Sequence, residues 1–254
     1  MKTRGGAGPG EYEAEAAGLR WLSEGPVAVP DVIAVGAGKG EGPAFLALEW
    51  VEGGRLSLEG AERFGRGLAE LHRLGAPAHG WVPGEGGIVR LGSIALGARG
   101  AGSGEGWAEV YAGQRLQPLV RLCRDRGALD AGGVEAVERV CSRIVELAGP
   151  AEPPARLHGD LWSGNVRAGS DGAAWLIDPA AHGGHRETDL AMLRLFGPPG
   201  GGSRIFDAYE EAWPLAAGAE ERVELWQLQP LLVHAALFGG HYGATAERAA
   251  RRYL

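Results

Sequence analysis

The chain has 254 residues, 45% of them apolar, and a formal net charge of −7. That length can bury one substantial core or two modest lobes, and the acidic balance argues against a general nucleic-acid or membrane binder, leaving a small molecule as the expected partner. Cys123 and Cys141 lack metal-ligand spacing and the N-terminus has no secretory pattern, so reduced thiols in a cytoplasm are expected. The best apolar run, Leu231 to Phe238, contains His234 and falls far short of the roughly 18 residues that span a bilayer. Of the 25 basic residues, only Lys2 and Lys39 are lysines.

In chain order, "EYEAEAAGLRWLSE" (11–24) is rich in helix formers, with Tyr12, Leu19 and Leu22 at turn-compatible spacing. "VAVPDVIAVG" (27–36) and "AFLALEWVEGG" (44–54) follow as β-type runs with glycine-rich turns between them, and Pro30 confines the first to an edge or an entry. Phe64, Leu68 and Leu71 predict a second helix from Leu58 to Leu74, ended by Gly75 and Pro77. Residues 75–106 read as an irregular loop in which only "IVRLGSIAL" (88–96) has strand character. Helices are predicted over 106–127 and 134–149, a short buried strand over 173–180, and helix throughout 187–254. The division falls near Gly53, giving a small α+β lobe (1–53) and a larger, mostly helical lobe (54–254).

Between the helical segments lies "RLHGDLWSGNV" (156–166), which sets Asp160 and Asn165 five positions apart. An aspartate in a loop can accept a proton from an attacking hydroxyl, and an asparagine five residues on can turn its carbonyl oxygen to a metal. Alone, such a pair is more simply a turn. The added element is Asp178: the intervening "VRAGSDGAAWLID" allows one hairpin with a Ser-Asp-Gly turn that returns the chain beside the loop. Two protein oxygens with substrate phosphates and water suit magnesium. The spacing matches the catalytic-loop and metal-aspartate pattern of phosphoryl-transfer enzymes. A two-metal phosphoesterase is the competing reading, but Val166 stands where that class needs a His or Asp.

"LHGDLWSGNV", "LIDPA" and "GHRETDLAMLRLFG" together resemble the fructosamine kinase (ketosamine-3-kinase) family, within the superfamily of aminoglycoside and choline phosphotransferases. The resemblance extends over nearly the whole chain and implies an α+β, protein-kinase-like bilobal fold. It implies that ATP and magnesium are used to phosphorylate the 3-hydroxyl of a sugar amine, with a role in deglycation. By the same resemblance Asp160 is the base, Asn165 and Asp178 are the magnesium ligands, and Trp162 packs on the substrate. Glu49, Trp50 and Val51 resemble the adenine-binding hinge. Lys2 resembles the lysine that holds the nucleotide phosphates, with Glu15 as its helix partner and Glu13 as the alternative by spacing. His185, Arg186, Glu187 and Asp189 match the block after the metal aspartate, where ion pairs and substrate-pocket lining by His185 and Glu187 are expected. Two departures from the family accompany these matches. The strands and glycine-rich turn that precede the lysine in the family have no counterpart ahead of Lys2, so the small lobe reads as N-terminally truncated, without a phosphate lid. The stretch from Gly80 to Trp107 also lacks the family's acceptor-loop pattern. An aminoglycoside- or choline-type phosphotransferase and a lidless pseudokinase therefore stand as alternatives.

Overall fold

The computed structural model describes residues 1–3, 10–37, 43–84, 87–98 and 104–254. Lys39, the glycine-rich turn around it and part of the expected 75–106 loop lie outside these. The N-terminal unit comprises β1 (Lys2–Thr3), α1 (Glu11–Leu22), β2 (Val32–Gly36) and β3 (Phe45–Leu48). Its antiparallel sheet has the order β1-β3-β2, with Lys2 opposite Leu46. The strands are shorter than the apolar runs that predicted them. Pro30, with no N–H to donate, separates β2 from Val27 and Val29, and Ala28 instead bridges Trp175 in the other half of the molecule.

α2 (Leu58–Arg73) starts where Ser57 accepts from the Gly60 N–H at 2.9 Å. The stretch expected as one strand in a loop is instead an antiparallel hairpin, β4 (Ile88–Leu91) and β5 (Ile94–Gly97). Gly92 (φ 59°) opens its two-residue turn. α3 (Trp107–Val110) runs through a π-helical turn (Tyr111–Leu116) into α4 (Gln117–Asp125), followed by α5 (Ala131–Ser142) and α6 (Ile144–Leu147). Four short strands then carry the loops of interest: β6 (Ala155–Leu157), β7 (Val166–Ala168), β8 (Ala174–Leu176) and β9 (His182–Gly184). β7 and β8 form the expected hairpin, and β6 pairs antiparallel with β9.

The C-terminal stretch, expected as helix throughout, is broken into α7 (Glu187–Leu195), α8 (Gly202–Ala212), α9 (Ala219–Phe238) and α10 (Tyr242–Arg251). Glycines with positive φ punctuate it: the left-handed Gly201 and Gly218 precede α8 and α9, and Gly239 (φ 64°) ends α9. Inside α9, Pro230 cannot donate to the Trp226 carbonyl, and the buried Tyr111 hydroxyl meets that carbonyl at 3.0 Å. The cap explains why a proline is tolerated there.

Two apolar clusters hold these elements. One joins β4, β5, α3–α5, α9 and α10 through side chains such as Leu116, Val137 and Leu232. The other joins α1 and β3 to α2, α7, α8 and the β7–β8 hairpin, with Leu19, Leu46, Leu68 and Leu176 fully buried. Burying a leucine contributes about 1.5–3 kcal/mol. Residues before Gly53 bury theirs against residues after it, so the small unit shares its core with the large one. Among the described residues, no helix is long and apolar enough to cross a membrane.

Candidate active site

β6 delivers the chain to Gly159, whose φ of 80° turns it into the loop. A Cβ there would fall 2.2 Å from the Ala180 carbonyl oxygen, so only glycine lets the two segments approach this closely. Asp160 follows. The Asn165 amide nitrogen donates to its backbone carbonyl at 2.8 Å and to its carboxylate at 3.0 Å, which closes the five-residue loop on itself. The His158 ring fixes the loop to its neighbour: Nδ1 accepts from the Asp160 N–H at 3.3 Å, leaving Nε2–H to donate to the Ile177 carbonyl at 2.9 Å. Beneath, the buried Asp189 carboxylate accepts from the N–H groups of His158 (2.8 Å) and Gly159 (2.9 Å) and meets His72 Nε2 at 3.3 Å.

Asp178 arrives by the β7–β8 hairpin and is the only described residue other than glycine with a positive φ, 55°. Aspartate enters this region more readily than most side chains, and it is held there by the surrounding structure. Lys2 reaches it from β1: the ammonium bonds both the Asp178 carboxylate and Glu15, the latter at 2.8 Å. Glu15, and not Glu13, is thus the lysine's helix partner. Burial alone would lower the Lys2 pKa, but Glu15 and Asp178 together raise it, and the ammonium stays charged.

Lys2, Glu15, Asp160, Trp162, Asn165 and Asp178 all line one cleft of about 380 Å³, together with Glu11, Arg90 and the apolar edge of the β4–β5 hairpin. A second slot, of about 220 Å³, shares Lys2 and Asp178 with it and is lined by Glu49, Trp50, Val51, Leu46 and Ile177. Arg167, which the sequence did not single out, supports this slot. Its Nε donates to the Val51 carbonyl at 3.0 Å and its guanidinium lies 5.4 Å from the Trp50 ring centre. In the first cleft Trp162 is 39% exposed. A Cβ at Gly164 would lie 2.3 Å from its ring, so that glycine makes room for it.

Burial raises the Asp160 pKa above the ordinary carboxylate value, opposed by His158 and by the Asn165 hydrogen bond. Asn165 spends its NH₂ on Asp160, which leaves its carbonyl oxygen available, and the Asp178 carboxylate faces the same cleft. Two hard oxygens beside space for phosphates fit magnesium, which seldom takes a full protein cage. Among the described residues, no cluster of three or more His, Cys, Asp or Glu offers a competing metal site.

His185 and Glu187, expected to line the substrate pocket, are not brought to this cleft. His185 stacks on Trp226 with ring centres 5.4 Å apart. Glu187 is 4% exposed, forms a bidentate pair with Arg222 at 2.6 and 2.9 Å, and accepts from the Trp226 indole at 2.8 Å. The correction has a physical basis: the positions open α7, where the chain turns into the core, and their polar groups are satisfied there. Arg186, expected among the ion pairs, does form one, with Glu152, at 2.7 and 2.8 Å. Two participants had weak sequence signals. His72 stood in an ordinary amphipathic helix, and the hairpin wall was hidden among glycines.

Against this geometry the relatives can be placed. The family model for fructosamine kinase matches residues 1–254. A probable ketoamine kinase of Thermus thermophilus is 38% identical over 245 residues, covering 96% of this chain and 83% of the relative. The crystal structure of a protein assigned as a fructosamine-3-kinase from Thermobifida fusca superposes with a TM-score of 0.86 at 44% identity, covering 98% of this chain and 83% of that one. An aminoglycoside-3'-phosphotransferase of type VIII, at 19% identity and a TM-score of 0.54 over 91% of this chain and 83% of its own, shares the fold. The chain belongs to the fructosamine kinase family.

Proposed function

We propose that the protein is an ATP-dependent kinase that phosphorylates the 3-hydroxyl of ketosamines, sugar amines of the fructosamine and ribulosamine type. The observation that carries this is the convergence of Lys2, Glu15, Asp160, Asn165 and Asp178 on one cleft that continues into the Glu49–Val51 slot. Residues 1–53 form the nucleotide side of a bilobal kinase fold and 54–254 the catalytic lobe. The slot backbone takes the adenine, and the Lys2 ammonium, positioned by Glu15, holds the donor phosphates. Asn165 and Asp178 would hold magnesium, which would supply positive charge to those phosphates.

Asp160 orients the acceptor 3-hydroxyl and takes its proton as the oxygen bonds to the γ-phosphorus and the bond to the departing ADP oxygen breaks. Its raised pKa brings a carboxylate closer to the range in which a base works. The product has phosphate one carbon from the carbonyl of an aminoketone. Proton loss from C1 gives an enaminol from which that phosphate leaves, and hydrolysis of the resulting imine frees the amine. Phosphorylation thereby drives deglycation.

The test is ADP release with synthetic fructoselysine and ribuloselysine. Turnover is expected, with Asp160→Asn reducing kcat by about 10²–10⁴-fold while ATP binding persists. Turnover of an aminoglycoside or choline in place of any ketosamine would replace the acceptor class. Magnesium-dependent ATP binding without ADP release on any acceptor would identify a pseudokinase.

A further inference from the structure

Trp162 stands at the start of a continuous run of rings that leaves the cleft. It meets Phe196 edge-on with centres 6.2 Å apart, and Phe196 lies 4.7 Å from His234. His234 in turn lies 5.5 Å from Phe238 and 5.1 Å from Tyr242. A separate contact joins the same helix to the cleft: a Cβ on Gly92, in the turn of the β4–β5 hairpin, would fall 3.2 Å from Leu237 Cδ1. The end of α9 is thus seated on the cleft wall, and its rings extend that wall outward. Phe238 is 68% exposed.

The middle ring has a defined polarity. His234 Nδ1 lies 2.8 Å from the Pro230 carbonyl oxygen, which can only accept, so Nδ1 carries the hydrogen and Nε2 keeps a lone pair in the neutral ring. We propose that this strip is the subsite for the substituent on the acceptor's amine, and that it selects apolar or aromatic substituents over acidic ones.

The inference rests on the reading of Asp160 as the base at the 3-hydroxyl. Only C1 and C2 of the sugar lie between the amine and the carbon bearing that hydroxyl, so the amine binds close to Asp160. Lys2, Glu15 and Asp178, assigned above to the nucleotide, line the cleft around Asp160 together with Trp162, a ring that is 39% exposed and begins the strip. The ring faces and the His234 lone pair suit a protonated secondary amine and an apolar group attached to it. Among the described residues, the strip itself carries no lysine or arginine to meet a carboxylate: its members are Trp162, Phe196, His234, Phe238 and Tyr242. The cleft behind is lined by Glu11, Glu15, Asp160 and Asp178, against Lys2 and Arg90.

The experiment uses the full chain and three 1-amino-1-deoxyfructoses with N-methyl, N-benzyl or N-carboxymethyl groups. The expected order of kcat/KM is benzyl above methyl by roughly threefold to tenfold, with carboxymethyl below methyl. In Phe238→Ala and Tyr242→Ala the benzyl-to-methyl ratio falls towards one; a merely structural role would lower both acceptors together and keep the ratio. A benzyl compound no better than methyl, or a ratio that both variants preserve, overturns the proposal. If no ketosamine is turned over, the reaction reading fails, and calorimetric binding of the benzyl and methyl compounds decides on the strip. Tighter benzyl binding that Phe238→Ala abolishes upholds it, and equal binding refutes it.

Discussion

Asp189→Asn isolates the support beneath the catalytic loop. The buried native carboxylate takes three donors: Oδ1 accepts from Gly159, while Oδ2 accepts from His158 and is 3.3 Å from His72. An asparagine has one oxygen, and its NH₂ would face one of two buried backbone N–H groups, so at least one donor loses its partner and the remaining bonds lose their charge. Hydrogen bonds to a charged group contribute about 1.5–3 kcal/mol each, and a buried orphan costs about 1–3 kcal/mol. A loss of roughly 3–5 kcal/mol follows, a Tm decrease on the order of 6–20 °C for a chain of this size. Burial raises the Asp189 pKa, but His72, His158 and the Gly159 N–H lower it further, so the net value lies below the ordinary one. Its contribution is therefore complete above the unfolded value of about 3.9 and is lost as pH falls through the lower folded value. Urea midpoints measured from pH 7 downwards should show a constant gap between native protein and variant to about pH 5, narrowing below about pH 4. A gap under about 1 kcal/mol at pH 7 would refute the accounting of donors.

Lys2→Met should cut kcat/KM for ATP by about 10²–10³-fold while leaving the acceptor KM unchanged, as loss of a phosphate-holding charge requires; an unchanged ATP dependence would remove Lys2 from the nucleotide site. Glu187→Ala strands the Arg222 guanidinium and the Trp226 indole, and chemical denaturation should register a loss of about 3–5 kcal/mol. ATP affinity in that variant should match the native protein, since Glu187 touches neither slot. Burial pushes the thiol pKa of Cys123 up to about 11 and of Cys141 up to about 12, so at pH 8 both are protonated and enclosed. Ellman's reagent should consume no thiol until denaturant is added, and reaction of the native protein at a free-thiol rate would contradict that burial.

Much of the site was legible because its parts are local. Asp160 and Asn165 share one turn, the Ser-Asp-Gly signal places Asp178 beside them, and helical periodicity located α1 and α2. The parts that were not legible depend on distant partners. β6 and β9 are three-residue strands buried on both faces, and their Arg156 and His182 show no alternation that could announce a pair. His72 and Asp189 are separated by 117 positions, and nothing in an amphipathic helix says which face will meet a carboxylate. The apparent helix over 187–254 hid its breaks because glycine in an otherwise apolar run reads as a tolerated defect, while at Gly201 and Gly218 it supplies the left-handed turn before a new helix.

The Gly-His-Arg-Glu-Thr-Asp block shows how far a motif can be read. As a unit it suggested ion pairs and pocket lining, but a helix sends neighbours to different faces, and α7 divides the block by role. Glu187 turns to Arg222 and Trp226, joining α7 to α9, whereas Asp189, two positions on, turns under the loop and fixes the N–H groups that precede Asp160. The same segment therefore ties the helical body together and sets the height of the catalytic loop above it. A change that moved α7 against α9 would move Asp160 with it. The block is better understood as the link through which the packing of α9, whose far end carries the ring strip, positions Asp160, the proposed base.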